Sequence, residues 1–208
     1  MVWLSQTVIT PMQNLDNAKE IAIPGGVLQH WLGAVLLENT TLERVRDFAM
    51  DFPDYKTYFK QFYIDSKLLK REGDDFDALL KLSRRQIRSV TLNINLSAKW
   101  VTLSPQLGYA SMRSTHIGEV DWKKGKDAAL QERLPGAEAG YLWRQNVYWR
   151  IVQNGDGVYV EIESITLSRQ PGKLDAGRFL NGFVKNYPRE FIEGSIEAIQ
   201  QAFPRLHH

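Results

Sequence analysis

Two histidines and an arginine are the side chains of this sequence whose types could support acid–base chemistry. His30 lies on the first predicted core strand, and Arg113 and His116 lie together on a later one. An imidazole in a cavity could transfer protons, and a guanidinium could stabilise a developing anion. A hydrogen-bonded structural role is the simpler explanation of His30. We therefore assign no catalytic residue and keep these three as candidates.

Metal centres and nucleophiles have less support. None of the 4 histidines has a ligand spacing such as H-E-x-x-H, and His207 and His208 end the chain. The absence of Cys excludes thiolate catalysis and Cys-ligated metal sites. Ser114 and His116 should share one face of their strand, but the G-x-S-x-G turn is absent and no acidic partner is identifiable. Because no G-x-G-x-x-G or Walker pattern occurs either, we expect no metal and no cofactor.

Two carboxylates, Glu161 and Glu163, alternate with apolar residues, so they share a face and could resemble an acid–base pair. Closing the predicted hairpin within residues 154–157 (NGDG) places Arg150 opposite Glu161 and Tyr148 opposite Glu163. A cross-strand ion pair on a solvated face, worth about 0.5 kcal/mol, is the simpler explanation.

Basic residues gather where two predicted strands meet, at Lys81, Arg84, Arg85 and Arg88. Such a group could bind an anionic head group or a phosphate, although a solvated turn is the simpler interpretation. The formal net charge of +2 gives no long-range field that favours a polyanion. We therefore expect no nucleic-acid partner.

The opposite face of the hairpin that ends at residue 169 supplies candidate ligand-binding residues. This face is apolar near the turn, and farther along it carries Trp143, Gln145, Ser164 and Thr166. Polar groups on a buried face need partners, which a ligand or a trapped water can provide. The predicted ligand wall consists of Trp143, Gln145, Trp149, Ser164 and Thr166 from the hairpin and Phe183, Ile192 and Ile196 from the final helix.

An α+β arrangement must position these side chains. Hydrophobic periodicity and turn residues predict a strand at 27–38, helices at 42–51 and 53–59, strands at 63–71, 75–84, 89–103, 107–121, 141–153 and 157–169, and a helix at 174–203. Hairpin turns make consecutive strands antiparallel, which predicts a curved sheet of about seven strands wrapped around the final helix. Since Pro188 lacks a backbone donor, we expect a kink or break near Tyr187, and any opening of the pocket there.

This order of elements resembles the START-like, or polyketide cyclase/lipid-transport, helix-grip superfamily (SRPBCC). The resemblance covers about residues 26–203. It is carried by HWLGAV (30–35), DFPDY (51–55) and NYPRE (186–190). Within the superfamily, YIDSKLL (63–69) and GYLWRQNVYW (140–149) make the sequence similar to a bacterial group without assigned function.

The resemblance implies a START-like domain at 25–208, preceded by an N-terminal extension at 1–24. It also implies a cavity between the sheet and the final helix that binds lipids, sterols, polyketides or other apolar molecules, with catalysis in only some members. Our first hypothesis is a non-enzymatic carrier of a small apolar ligand, which a core without a cavity of about a few hundred Å3 would contradict. The alternatives are an enzyme of the cyclase, dehydratase or hydrolase type in the same cavity, and a structural or partner-binding domain.

The sequence contains no apolar run of about 18 residues and no basic-then-apolar leader, so we expect no integral membrane segment. The bacterial group that it resembles often has exported members, which favours the periplasm if a leader was removed before Met1 and the cytoplasm otherwise. The ligand and the oligomeric state are not predicted.

Overall fold

The computed structural model describes residues 2–7, 23–85, 89–121, 131–170 and 176–203. The described strands are β1 (Val2–Thr7), β2 (Gly26–Leu37), β3 (Tyr63–Glu72), β4 (Asp75–Arg85), β5 (Ser89–Ser104), β6 (Leu107–Asp121), β7 (Gln131–Glu132), β8 (Arg144–Asn154) and β9 (Gly157–Arg169). The described helices are α1 (Leu42–Met50), α2 (Tyr55–Tyr58) and α3 (Ala176–Ala202), with a 3-10 turn at Phe52–Asp54. None of these helices is long and apolar enough to cross a membrane.

One curved antiparallel sheet contains eight of these strands in the order β1-β2-β9-β8-β6-β5-β4-β3, and β7 pairs with the end of β6. The long helix α3 packs against the sheet over β2 and β9. The predicted α+β helix-grip fold is therefore confirmed. The sequence reasoning missed β1, which lies within the segment that we set apart as an extension and pairs with β2 at one edge of the sheet.

The β8–β9 hairpin has the predicted register. Arg150 faces Glu161 and Tyr148 faces Glu163 across the strands, and Gly155 takes the left-handed conformation (φ 57°) that the tight turn requires. The apolar side chains on the concave face of this hairpin are buried, whereas Arg150 on the other face is exposed. A one-residue slip would exchange these faces, so the burial pattern fixes the register.

The two short helices turn the chain from β2 to β3. Thr41 begins α1, and its hydroxyl accepts a hydrogen bond from the backbone N–H of Arg44 at 3.4 Å. A 3-10 turn then begins at Phe52, and Pro53 is its second residue, because the fixed φ of proline suits a first turn and its missing N–H has no role there. The second helix is shorter than predicted and ends at Tyr58.

The helix α3 continues through Pro188 without a break. In an uninterrupted helix, the N–H of residue 188 would donate to the carbonyl of Val184, and proline has no such donor. The side-chain amide of Gln29, which projects from β2, donates to that carbonyl instead. A side chain of the sheet therefore satisfies the carbonyl that Pro188 leaves free.

Candidate functional site

A small internal cavity lies between the concave face of the sheet and α3. Its wall contains aromatic residues (Tyr55, Phe59, Tyr63, Trp149 and Phe191), aliphatic residues and Met (Leu80, Ile94, Leu96, Met112 and Val147), and polar residues (Ser114, Gln145 and Ser195). The cavity volume is about 40 Å3, which is room for a few water molecules. This is far below the few hundred Å3 that we set as the criterion for a carrier, so the structure as it stands does not meet that criterion. The aromatic rings fill most of the space.

Three aromatic residues that follow the 3-10 turn form one side of the wall. The ring of Tyr55 lies 4.9 Å from that of Phe59 and 6.2 Å from that of Tyr63. Burial raises the pKa of both Tyr55 and Tyr63 above the ordinary phenol value, so both are neutral at pH 7. The hydroxyl of Tyr55 donates to the carbonyl of Ala49, so this hydroxyl is already bonded within the protein.

The polar part of the wall includes Gln145 and Ser114. The backbone N–H of Gln145 donates to Ser114 Oγ at 2.9 Å, and the hydroxyl of Tyr187 on α3 donates to Gln145 Oε1 at 3.0 Å. Burial raises the pKa of Tyr187 well above 10.0, which keeps this phenol a hydrogen-bond donor. Gln145 therefore links the sheet to the helix.

Several buried polar atoms beside Gln145 have no hydrogen-bond partner among the described residues. They are Trp31 Nε1, Gln145 Nε2, Ser164 Oγ and Thr166 Oγ1, and we call them the polar patch. Thr166 lies directly opposite Gln145, and Ser164 lies directly opposite Trp31, so the patch occupies adjacent positions on β2, β9 and β8. An unpartnered buried polar group costs about 1–3 kcal/mol, so a cluster of them is unusual for a purely structural core.

The predicted ligand-wall residues fall into three groups. Gln145 and Trp149 line the cavity, and Ser164 and Thr166 are buried in the polar patch. Trp143 is 36% exposed and lies outside the described cavity lining. Phe183, Ile192 and Ile196 are buried on α3, but the helix contributes Phe191 and Ser195 to the cavity instead.

The three catalytic candidates lie away from the cavity. His30 is on the outer face of the sheet, where its Nε2 lies 2.6 Å from Glu163 Oε1. His116 is exposed and its Nε2 lies 2.8 Å from Glu132 Oε2, and Arg113 is also exposed. The enzyme alternative thus loses the acid, the base and the anion-stabilising group that it required in the cavity. His207 and His208 lie outside the described residues.

The prediction that Ser114 and His116 share a face is wrong. Ser114 pairs with Leu96 and His116 pairs with the adjacent Asn95, so Thr115 is an extra residue in a β-bulge. The bulge shifts the alternation, and Ser114 is buried while His116 is exposed. Within the described residues, no group of three or more His, Asp or Glu could hold a metal ion.

Sequence reasoning also missed one charged group and misjudged the environment of another. Glu119 is buried, and its carboxylate accepts hydrogen bonds from the backbone N–H groups of Ala139, Gly140 and Tyr141 at 2.7, 2.7 and 3.0 Å. Arg84, which we interpreted as part of a solvated turn, has a side chain only 17% exposed. The solvated-turn interpretation is therefore wrong for Arg84, and the side chains of Arg85 and Arg88 lie outside the described residues.

Comparisons with known proteins agree at the level of the fold. No protein-family model matches the sequence, and no curated protein matches it. A solved structure described as a STAR-related lipid transfer protein from Xanthomonas axonopodis is 13% identical, with a TM-score of 0.59, and the match covers 89% of this chain and 97% of that one. The Zhui aromatase/cyclase from Streptomyces sp. R1128 is 11% identical, with a TM-score of 0.54 and coverage of 85% and 96%.

A third structure, from Thermus thermophilus, is 15% identical, with a TM-score of 0.55 and coverage of 85% and 94%. At such identities a structural match establishes architecture rather than activity, because one fold hosts many functions. These matches show that the chain, with its curved sheet, two short helices and long closing helix, has the helix-grip fold of these structures.

Proposed function

We propose that this protein binds a small, largely apolar ligand, lipid-like or polyketide-like, between the concave face of the sheet and α3. The observation that carries the proposal is the polar patch beside an otherwise apolar and aromatic wall. A ligand that brings one or two oxygen atoms to the patch would satisfy hydrogen-bonding groups that the described residues leave unpaired. The rest of such a ligand would contact Trp149 and the neighbouring aromatic rings.

The volume of about 40 Å3 means that binding must enlarge the cavity. The helix α3 is the element suited to move, because its own hydrogen-bond ladder lacks a link at Pro188. There the helix is joined to the sheet by two side-chain hydrogen bonds, from Gln29 to Val184 and from Tyr187 to Gln145. An outward shift of this segment would open the cavity next to the polar patch.

Native mass spectrometry of the purified protein, before and after incubation with a lipid extract, tests the proposal. We expect a bound small molecule of low polarity in at least one of the two samples. Replacing Ser195 by Leu fills the cavity from the helix side, and we expect it to reduce the bound fraction about tenfold. Glu197→Leu introduces the same side chain at an exposed position of α3 and serves as the control.

A protein that remains free of ligand after incubation would overturn the proposal. Equal loading of the Ser195→Leu variant and the wild type would overturn the location, because the added side chain occupies the space that the ligand needs. Circular dichroism of both variants verifies that the fold is retained.

A further inference from the structure

A second small pocket lies between the end of β4 and α3. It has a volume of about 40 Å3, and its lining includes Arg84, Tyr187, Phe62 and Glu190. Tyr187 lines this pocket, while its hydroxyl donates to Gln145, which lines the main cavity. This buried phenol therefore connects the linings of the two spaces.

Arg84 is an unusual residue for such a position. It projects from the end of β4, its side chain is only 17% exposed, and its guanidinium carbon lies 6.0 Å from the ring centre of Phe183. Its Nη2 forms an ion pair with Glu190 of α3, but its Nη1 is buried without a hydrogen-bond partner among the described residues. The guanidinium thus presents N–H donors that the fold leaves unused.

The existing partner of Arg84 is easily displaced. The side chain of Glu190 is 45% exposed, so on release its carboxylate is hydrated by water and loses little. A planar guanidinium matches the geometry of a carboxylate and can bind it through two parallel hydrogen bonds. Glu190 does not bind Arg84 in this way, because Nη1 of Arg84 has no partner among the described residues. The positive charge also acts on the neighbouring phenol, since Arg84 lowers the pKa of Tyr187 against the larger raising effect of burial.

We propose that Arg84 binds the carboxylate of an amphipathic ligand whose apolar body occupies the main cavity. This inference rests on the proposed function and specifies its ligand class as apolar molecules that carry an anionic end in addition to the oxygen atom that contacts the polar patch. Displacement of Tyr187 joins the two pockets, the carboxylate replaces Glu190 at Arg84, and the apolar chain extends towards Trp149. The released Glu190 turns into solvent.

Isothermal titration calorimetry with dodecanoate and dodecanol tests this assignment, because the two probes differ only in the anionic end. We expect the wild type to bind dodecanoate about tenfold more tightly than dodecanol, as charge-assisted hydrogen bonds imply. Arg84→Met should abolish this preference and leave the dodecanol affinity unchanged. Arg84→Lys should keep part of it, because the charge remains and the planar fork is lost.

Two further variants complete the design. Glu190→Gln removes the competing carboxylate and should strengthen dodecanoate binding several-fold without affecting dodecanol. Arg189→Met removes the same charge from an exposed neighbouring position, 59% exposed, and should change neither affinity. Acetate alone should not bind measurably, which distinguishes an amphipathic ligand from a free anion.

The outcomes separate the two proposals. Equal binding of both probes by the wild type, with no effect of Arg84→Met, would overturn the role of Arg84 and leave the apolar site standing. Binding of neither probe would count against the apolar site itself. Saturable binding of acetate at Arg84 would replace the amphipathic ligand with a free carboxylate.

Discussion

Two groups of buried polar atoms in this protein differ in how completely the fold satisfies them. Glu119 on β6 has its carboxylate surrounded by three backbone N–H donors from residues 139–141. In the polar patch, Gln145 Nε2, Ser164 Oγ and Thr166 Oγ1 have no partner among the described residues. The first group holds a loop in place, and the second leaves capacity for another molecule. The predictions below test whether Glu119 stabilises the fold and the polar patch binds a ligand.

The largest effect should come from Glu119. Glu119→Ala leaves three backbone donors of the loop without their acceptor, and we expect it to lower the free energy of unfolding by about 3 kcal/mol or more. Urea unfolding followed by circular dichroism measures the change. Glu161→Ala, on the outer face opposite Arg150, is the control and should cost less than about 1 kcal/mol. Similar losses for both variants would remove the contrast on which the comparison depends.

The next effect concerns Gln29, which lies directly opposite Thr166 on the concave face. Gln29→Leu leaves the carbonyl of Val184 without a donor. It should lower the free energy of unfolding by about 1–2 kcal/mol. In a Pro188→Ala background the helix supplies its own N–H to that carbonyl, so the cost of Gln29→Leu should largely disappear.

A double-mutant cycle by urea unfolding measures this coupling between Gln29 and Pro188. If Gln29→Leu costs the same with proline or alanine at position 188, the amide of Gln29 does not compensate for the missing helical donor. Gln29 would then belong with the unsatisfied groups of the polar patch rather than with Glu119.

Thr166 should respond in the opposite direction. Thr166→Val replaces an unpartnered hydroxyl with a methyl group of similar shape, and we expect the ligand-free protein to become more stable by up to about 1 kcal/mol. The same change should weaken binding of an oxygen-bearing ligand several-fold. Thermal unfolding measures the first effect and calorimetric titration the second. A loss of stability like that of Glu119→Ala would mean that this hydroxyl has a structural partner.

Much of the fold follows from the sequence, because the sheet has one buried and one solvated face and its turns are marked. The predicted strands end within a few residues of the observed ones, and the register of β8 and β9 follows from one NGDG turn. The edge strand β1 was missed because its segment was set apart as an extension, and the pairing with β2 joins residues far apart in sequence.

The site was predictable only in part. Alternation on the hairpin places Gln145, Trp149, Ser164 and Thr166 on the buried face. Alternation fails at β-bulges. The extra residue Thr115 therefore places Ser114 and His116 on opposite faces of β6. It is also silent about contacts between distant segments, which is why the aromatic wall from Tyr55 to Tyr63 and the carboxylate of Glu119 emerge only from the structure.

The smallest effect should arise at Glu132, a second carboxylate beside β6. It is held by two side chains, whereas Glu119 is held mainly by three backbone N–H groups, with Arg133 at 3.4 Å in addition. Its partners are His116 Nε2 and Asn93 Nδ2, both at 2.8 Å, and its side chain is 35% exposed. Burial acts to raise the pKa of Glu132, but the hydrogen bonds from His116 and Asn93 and the charge of His116 outweigh it, so the pKa lies below 4.5.

A carboxyl whose pKa is lower in the folded than in the unfolded protein stabilises the fold above its unfolded pKa, and this contribution disappears as the pH falls through the folded value. Glu132→Gln should therefore lower the free energy of unfolding by about 0.5 kcal/mol at pH 7, and the difference from wild type should shrink below pH 4.5. Urea unfolding at several pH values from 7 to below 4.5 measures the trend. If the difference grew on acidification, the pKa of Glu132 would be raised by folding rather than lowered. A raised pKa is the behaviour of a buried carboxyl with too few donors, not of one that His116 and Asn93 hold at the surface.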